Sequence, residues 1–340
     1  MGFATVSVGL IPGYAQIGVA APILLVALRL VQGLAVGGEV GGALLLVAET
    51  LNKERRGYWT AWPQIGGPAG NLASAGVFVL LTVMLSDTQF VAWGWRIAFL
   101  LSGLLIGIGV WMRTRVEESP LYRQYVEHRA RTRTRTPIRT TLATYWRDVL
   151  VVLFVKAGEN ALFYVFTTFF VVYVTLVLHL PRTLALAATS VASAIDVVAI
   201  VSAGILSDKI GRRPVTAFGL MTAAIWAFVL FPATRDGNTT IIMLAGAIGG
   251  IWHGCIVGGM SAMFVELFPT EGRYTGFSVG YQFASVLSGA VAPLIGVALL
   301  TRYHSTIPVS CYAAAMTIPA LIAIWRARET RGVDLAAVRE

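Results

Sequence analysis

The chain has 340 residues, of which 56% are hydrophobic and 13% are charged, with a mean hydropathy of +0.74 and a formal net charge of +9. Soluble domains are about 45–50% apolar and about 25% charged, so this composition excludes a soluble enzyme, a disordered chain, a collagen and a disulfide scaffold. Cys255 and Cys311 lie in apolar segments and need be no more than small buried hydrophobic residues.

Long apolar runs predict an all-α membrane protein, because a membrane-spanning helix needs about 20 mainly apolar residues. The first run, 1–11, is too short to cross alone and predicts the end of a helix whose beginning is missing. No basic residue precedes this run, so it does not indicate a secretory signal. Nine full spans are predicted at 23–49, 61–86, 95–112, 148–178, 184–206, 215–232, 240–267, 275–300 and 306–325.

The lysines and arginines of the loops are distributed unequally between the two sides of the membrane. Alternating from the loop after residue 49, one side carries twenty of them and the opposite side carries four. The positive-inside rule therefore predicts that the first side is cytoplasmic. The basicity reflects membrane topology, with some attraction to anionic lipid, and a nucleic-acid partner is not expected.

Four regions follow from this pattern. They are a shortened N-terminal helical bundle (1–112), a basic cytoplasmic linker interpreted as a solvated tether (113–147), a C-terminal six-helix bundle (148–326) and a cytoplasmic tail (327–340).

The turn after the span 184–206 contains a recognisable motif, Gly204-Ile-Leu-Ser-Asp-Lys-Ile-Gly-Arg-Arg-Pro-Val215. It resembles the signature loop of the major facilitator superfamily, G-x-L-x-D-r-x-G-r-R. Glycine allows close helix approach and tight turning, and an aspartate here can face the N-terminus of a neighbouring helix. The residues that we expect to form this conformational element are Gly204, Asp208, Gly211, Arg212 and Arg213.

A second motif, from Arg29 to Ala43, resembles the R-x-x-Q-G-x-x-x-G-G-E-x-G-G-A helix of the metabolite:proton symporter branch of that superfamily. This branch includes carriers of shikimate, 2-oxoglutarate, citrate, and proline or betaine. The resemblance implies twelve helices in two pseudo-symmetric halves, with a signature loop in each. Here the first loop is absent, so the chain corresponds to about ten spans, family helices three to twelve with the first partial. The acidic residue that the family carries on its first helix has no counterpart.

The span 23–49 contains two ionisable residues that are candidates for function, Arg29 and Glu39. Ten residues separate them by about 80° around the helix and roughly 15 Å along it, so they do not pair directly. Arg29 is expected to meet an anionic substrate or a carboxylate on another helix. Glu39 is a candidate proton carrier, or it forms a structural hydrogen bond at a tight helix contact.

The C-terminal bundle contains the other candidates for proton coupling. Lys156 and Glu159 are three residues apart, so they form either a self-neutralised pair or a charged cavity wall in which Lys156 binds a substrate carboxylate. Asp196 has no basic residue within one turn, which suits a proton-binding group; the alternative is a partnership with Lys156 or Arg29. His253 is either a proton relay or a neutral histidine of the core.

Three further residues are candidates for contact with the substrate. The amide of Asn160 can meet a substrate carboxylate, and the rings of Tyr164 and Trp252 can line a cavity, although packing is the common role of such aromatic residues.

The predicted function is proton-coupled symport of a small organic acid by alternating access in a bacterial cytoplasmic membrane. The expected partners are an anionic small molecule, protons and the lipid bilayer; the chain is expected to be a monomer without cofactor or metal. The alternative is a non-transporting remnant of such a carrier. An enzyme is not expected, because no metal-ligand spacing or phosphate loop is found.

Overall fold

A computed structural model describes residues 2–115, 138–289 and 291–335 of the chain, and these are helical with no β-strand among them. The helices of the N-terminal part are α1 (Gly2–Leu10), α2 (Tyr14–Ile17), α3 (Ala20–Thr50), α4 (Arg56–Gln64), α5 (Gly66–Met84), α6 (Asp87–Gln89), α7 (Trp95–Leu100) and α8 (Ser102–Arg115). Those that follow are α9 (Ile138–Thr144), α10 (Trp146–Tyr164), α11 (Phe170–Val172), α12 (Arg182–Ile210), α13 (Arg212–Thr234), α14 (Thr239–Glu266), α15 (Thr270–Ala284), α16 (Ala292–Tyr303) and α17 (Ile307–Arg326).

Eight helical stretches of the described chain are long and apolar enough to cross a membrane. They are Lys53–Met84, Phe90–Met112, Trp146–Val177, Arg182–Ile210, Arg212–Thr234, Thr239–Glu266, Thr270–Tyr303 and Ile307–Arg326. They correspond to every predicted full span except 23–49, which lies within α3, where Ala20–Gly33 forms a shorter apolar stretch. The predicted all-α membrane fold class is confirmed.

The helices group into two compact units. This division does not test the four regions predicted from the sequence, which remain a prediction. One unit comprises the described parts of Met1–Gly42 and Gly70–Glu118, and the other comprises those of Ala43–Ala69 and Ser119–Glu340. Residues 116–137 of the predicted linker lie outside the described residues. The end of that linker is α9, whose Thr141 is buried and lies beside Gly272 of α15, so this end packs instead of forming a tether.

In the first unit, the short helix α1 packs against α7 and α8. Gly9 allows the close approach, because a Cβ atom there would come within 3.0 Å of the Phe99 side chain. Arg96 of α7 donates to the Ile11 carbonyl just after α1 at 2.8 Å, and Gln32 joins α3 to α1 by donating to Thr5 at 2.7 Å.

In the second unit, a stripe of glycines on α14 brings that helix against α12. The stripe has a four-residue period, so its members share one helix face: Gly246, Gly250, Gly254 and Gly258. A Cβ atom on any of them would overlap the backbone or side chains of α12. Small residues at such a crossing let backbones approach closely in a membrane protein. The crossing matters for function because it places Asp196 of α12 beside His253 of α14.

We predict that Gly250→Ala destabilises the protein, because the added methyl group would overlap the Ala192 carbonyl and push α12 away from α14. Overpacking of this kind costs roughly 1–3 kcal/mol, which thermal melting in detergent would register as a lower melting temperature. The control is Gly76→Ala on α5, where a Cβ atom meets nothing within 4 Å. Equal melting temperatures for the two variants would contradict the close crossing.

Candidate functional site

Four ionisable side chains from three helices meet inside the second unit; we call them the central cluster: Lys156 and Glu159 on α10, Asp196 on α12 and His253 on α14. His253 Nδ1 lies 2.7 Å from Asp196 Oδ2, and its Nε2 lies 3.0 Å from Glu159 Oε1. The Lys156 ammonium donates to the other oxygen of Glu159. Lys156, Glu159 and Asp196 are buried, and His253 is largely so. The cluster is therefore one continuous chain of hydrogen bonds.

The two hydrogen bonds of His253 require two protons shared among three groups. Either the ring is an imidazolium that donates to two carboxylates, or a neutral ring donates to one carboxylate and accepts from the other, protonated one. Both arrangements give the central cluster, with Lys156, a net charge of zero. They differ only in the position of a proton, so this geometry can relay one.

A small cavity of about 40 Å³ adjoins Asp196 and His253. Asp196 and Trp226 line it, and their Oδ1 and Nε1 atoms are buried and have no hydrogen-bond partner within the part of the chain that is described. Thr167 and Thr189 also line it. About 30 Å³ is one water molecule's share of liquid volume, so the cavity is large enough to hold one water molecule near Asp196 and His253.

Three helical segments of the second unit depart from regular α-helical geometry. The helix that contains α10 has π-helical segments at Val165–Phe169 and Tyr173–Val177, and α15 ends in another at Ser285–Gly289. Insertions of this kind are frequent at functional sites because they displace side chains from the regular helical register. Here the first segment places Thr167 on the cavity wall.

The structure corrects the interpretation of Asp196 and adds contacts to that of His253. Asp196, expected to stand alone or to pair with Lys156 or Arg29, is hydrogen-bonded to His253, because the glycine stripe brings α14 against α12. His253, for which a neutral core histidine was one interpretation, has a carboxylate at each ring nitrogen. Lys156 and Glu159 form the predicted ion pair, and Lys156 also lies 4.7 Å from the centre of the Tyr281 ring.

The other predicted site residues occupy different surroundings. Asn160 donates to Ser285 at 3.5 Å, and the Tyr164 ring packs edge-on against Phe163. Trp252 packs edge-on against Phe218 of α13 and does not border the cavity beside His253. Arg29 and Glu39, both on α3 in the first unit, have exposed side chains.

The signature loop binds the start of α4. Asp208 accepts hydrogen bonds from the backbone N–H groups of Gly57 and Tyr58 at 2.8 and 2.9 Å, at the positive end of that helix. This is the contact that the sequence predicts for Asp208. Gly204 allows α12 to approach, since a Cβ atom there would lie 2.6 Å from the Gly57 carbonyl oxygen. Gly211, between α12 and α13, has a φ of +109°, which favours glycine.

Arg212 extends the loop into a buried network of charges that we call the Glu266 network. Its guanidinium donates to both carboxylate oxygens of Glu266 at 3.2 Å and to Asp208 at 2.6 Å. Arg56 of α4 donates to the same Glu266 at 2.9 Å. Arg56, Arg212 and Glu266 are each at most 3% exposed, so these groups neutralise one another away from water.

A second buried ion pair lies at the start of α15. Arg273 donates to Glu49 of α3 at 2.6 Å and to the Phe268 carbonyl at 3.0 Å. Because Glu49 and Arg56 flank the loop between α3 and α4, these contacts hold both sides of that loop on the C-terminal helices.

The predicted tail, as far as residue 335, contacts the signature loop and the charged residues around it. Glu329 accepts from the backbone N–H groups of Arg212 and Arg213 at 2.9 and 3.2 Å, which caps the start of α13. Thr330 donates to Glu266 at 2.7 Å, and the Leu335 carbonyl accepts from Arg273 at 3.0 Å. Arg213 donates to the last carbonyls of α17, so the signature loop and the tail stabilise each other.

Sequence reasoning missed the roles of Arg56, Glu49 and Glu329. It also assigned no role to Glu266 or Arg273. A signal for these roles was available in the sequence, because isolated charges of opposite sign recur at the ends of the spans. The sequence did not indicate which of these charges pair.

Comparisons with known proteins agree with this architecture. A model of the family described as "Sugar (and other) transporter" matches residues 1–340. The Inner membrane metabolite transport protein YhjE of Escherichia coli is 38% identical, over 98% of this chain and 77% of its own length. The Shikimate transporter of Escherichia coli is 35% identical, over 93% of this chain and 74% of its own length.

A Proline/betaine transporter of Escherichia coli is 29% identical, over 97% of this chain and 67% of its own length. The fold is similar to that of a solved proton:xylose symporter of the major facilitator superfamily, with a TM-score of 0.76 at 17% sequence identity, over 98% of this chain and 80% of that one. The chain therefore belongs to the sugar (and other) transporter family of the major facilitator superfamily, whose members are multi-pass membrane transporters of small molecules and not enzymes.

Proposed function

We propose that the chain is a proton-coupled symporter of small organic acids that works by alternating access in a bacterial inner membrane. The observation that carries the proposal is the central cluster, because a buried histidine between two carboxylates can hold and release a proton within the helix bundle. The 35% identity to a shikimate transporter supports an organic acid as the substrate.

Charge balance links the proton to the substrate. The central cluster is neutral as described above, so adding one proton to Glu159 or Asp196 gives it a charge of +1. Burying an uncompensated charge is costly, and a substrate carboxylate would restore neutrality. Protonation of Glu159 also frees Lys156, its partner in the ion pair, to bind that carboxylate. The expected cargo is therefore one proton for each negative charge of the substrate.

Neighbouring polar residues are suited to the remaining groups of the substrate. Asn160 follows Glu159 directly, and Tyr164 lies one helical turn further along α10. Arg29 stays a candidate for a second anionic contact and Glu39 a candidate proton carrier. The packing of Trp252 against Phe218 gives no support to a substrate contact there.

The Glu266 network is proposed to lock one state of the transport cycle. It ties α4 and the loop before it to α12, α13 and α14 through Arg56, Asp208 and Arg212. Movement of α4 away from these helices would break several charge-assisted hydrogen bonds at once, which separates the cycle into discrete states. From the excess of positive charge, we place this network, the segment 113–147 and the C-terminus on the cytoplasmic side.

Uptake into proteoliposomes tests the proposed function. Labelled shikimate, 2-oxoglutarate and citrate are offered separately with and without an inwardly directed proton gradient. We expect the gradient to drive accumulation of at least one of the three acids, and empty liposomes supply the background. Equal uptake with and without the gradient would refute proton coupling. A folded protein that transports none of the three acids would favour the non-transporting alternative.

A further inference from the structure

A groove of about 680 Å³ lies between the first turns of α10 and the last turns of α17, apart from the central cluster and the Glu266 network. Its walls are apolar, and they consist of Leu150, Val151, Phe154, Pro319, Ile322 and Ala323. Phe154 and Ile322 are exposed, at 37% and 48%. The volume falls within the roughly 300–1,000 Å³ range of ligand pockets, so the groove can hold more than a solvent molecule.

The crossing of the two helices explains why the groove opens at this end. The helices are antiparallel, since the start of α10 and the end of α17 border the same groove. They approach closely at Gly158, where a Cβ atom would lie 2.9 Å from that of Ala320. Away from this contact, towards Trp146, the axes diverge and leave the apolar walls uncovered.

The mouth of the groove is basic and aromatic. Arg147, Arg326 and Arg328 line it together with Trp146, and all four are exposed. The Arg147 guanidinium lies 5.4 Å from the centre of the Trp146 ring. Arg328 is held in place by the carbonyl groups of α14 and its C-cap, at 3.2 and 3.0 Å. The remaining charged residue of the lining is Asp148, so three arginines against one carboxylate leave an excess of positive charge.

We propose that this groove is a binding site for an anionic phospholipid. The arginines would bind the phosphate-containing headgroup, and the apolar walls would hold an acyl chain. Tryptophan and arginine at the end of a membrane helix lie at the depth of lipid headgroups. The polar mouth would therefore lie beside the headgroups, and the apolar walls would lie beside the acyl chains. The Arg-rich run 129–139 has the same charge as the mouth and is therefore a poor occupant.

Lipid binding to the purified full chain in detergent tests this site. The test variant is Arg147→Gln/Arg326→Gln. The matched control is Arg182→Gln/Arg302→Gln, which also removes two exposed arginines, at helix ends opposite the groove: the start of α12 and the end of α16. Each arginine near an anionic lipid surface contributes about 1 kcal/mol, so the variant should bind phosphatidylglycerol about 10- to 30-fold more weakly than the wild type. The control should bind like the wild type, and phosphatidylcholine should bind weakly to all three.

A second measurement places the lipid in the groove. Phosphatidylglycerol with brominated acyl chains quenches tryptophan fluorescence on contact, and the difference between wild type and Trp146→Phe isolates the signal of Trp146. We expect that signal to be quenched by the brominated lipid and to be protected in Arg147→Gln/Arg326→Gln. Equal affinity of that variant and the control, equal affinity for phosphatidylcholine, or an unquenched Trp146 would each overturn the proposal.

Discussion

Asp196→Asn is expected to abolish proton-driven accumulation of substrate while preserving exchange of substrate across the membrane. Asparagine keeps the size and the hydrogen-bonding oxygen that faces His253, but it cannot take up a proton. A pH difference of about one unit stores about 1.4 kcal/mol per proton, which sustains about tenfold accumulation of a cotransported acid. Inside liposomes that contain the variant, the substrate should reach only its external concentration. The variant should still exchange labelled for unlabelled substrate.

The control for this prediction is Asp236→Asn, which neutralises an exposed carboxylate in the turn between α13 and α14. It should accumulate substrate like the wild type. If Asp196→Asn accumulates substrate as well as this control does, Asp196 is not the proton carrier. Loss of both accumulation and exchange, with unchanged folding, would assign Asp196 to substrate binding instead of coupling.

Glu266→Gln is expected to be the most destabilising change in the Glu266 network. The amide preserves the shape of the side chain but leaves Arg56 without the carboxylate that it contacts and deprives Arg212 of a bidentate partner. Removing one member of a buried ion pair costs roughly 3–5 kcal/mol, because the other charge stays buried and uncompensated. Thermal melting in detergent should therefore show a marked fall in melting temperature.

Glu54→Gln is the matched control for that experiment, since Glu54 is exposed in the short helix that precedes α4. Its effect on the free energy of unfolding should stay within about 0.5 kcal/mol, as for most surface changes. If the two variants melt at the same temperature, the Glu266 network does not stabilise the state described here.

Contacts that depend on one helix or one turn were predictable from the sequence. The pair of Lys156 and Glu159 follows from helical periodicity, because residues three apart share a face. The position of Asp208 at a helix N-terminus follows from the glycines and charges of the signature loop. The spans themselves follow from the requirement that the backbone in a membrane satisfies its own hydrogen bonds.

Contacts between helices were not predictable in this way. His253 is 57 residues from Asp196 and 94 from Glu159, and Arg56 is 210 residues from Glu266. Periodicity indicates which face of a helix a residue occupies, but it does not indicate which helix lies opposite or at what height. Here the crossing of α12 and α14 sets that height through the glycine stripe, whose partner helix the sequence alone does not identify.

Proton movement during transport tests the central cluster most directly. Substrate is added to proteoliposomes that have no imposed gradient, and a pH-sensitive dye reports the protons that leave the external medium with it. We expect the wild type to alkalinise the medium by one proton for each negative charge transported, and Asp196→Asn to produce no such change. Substrate entry into wild-type liposomes without any proton movement would contradict the proposed coupling.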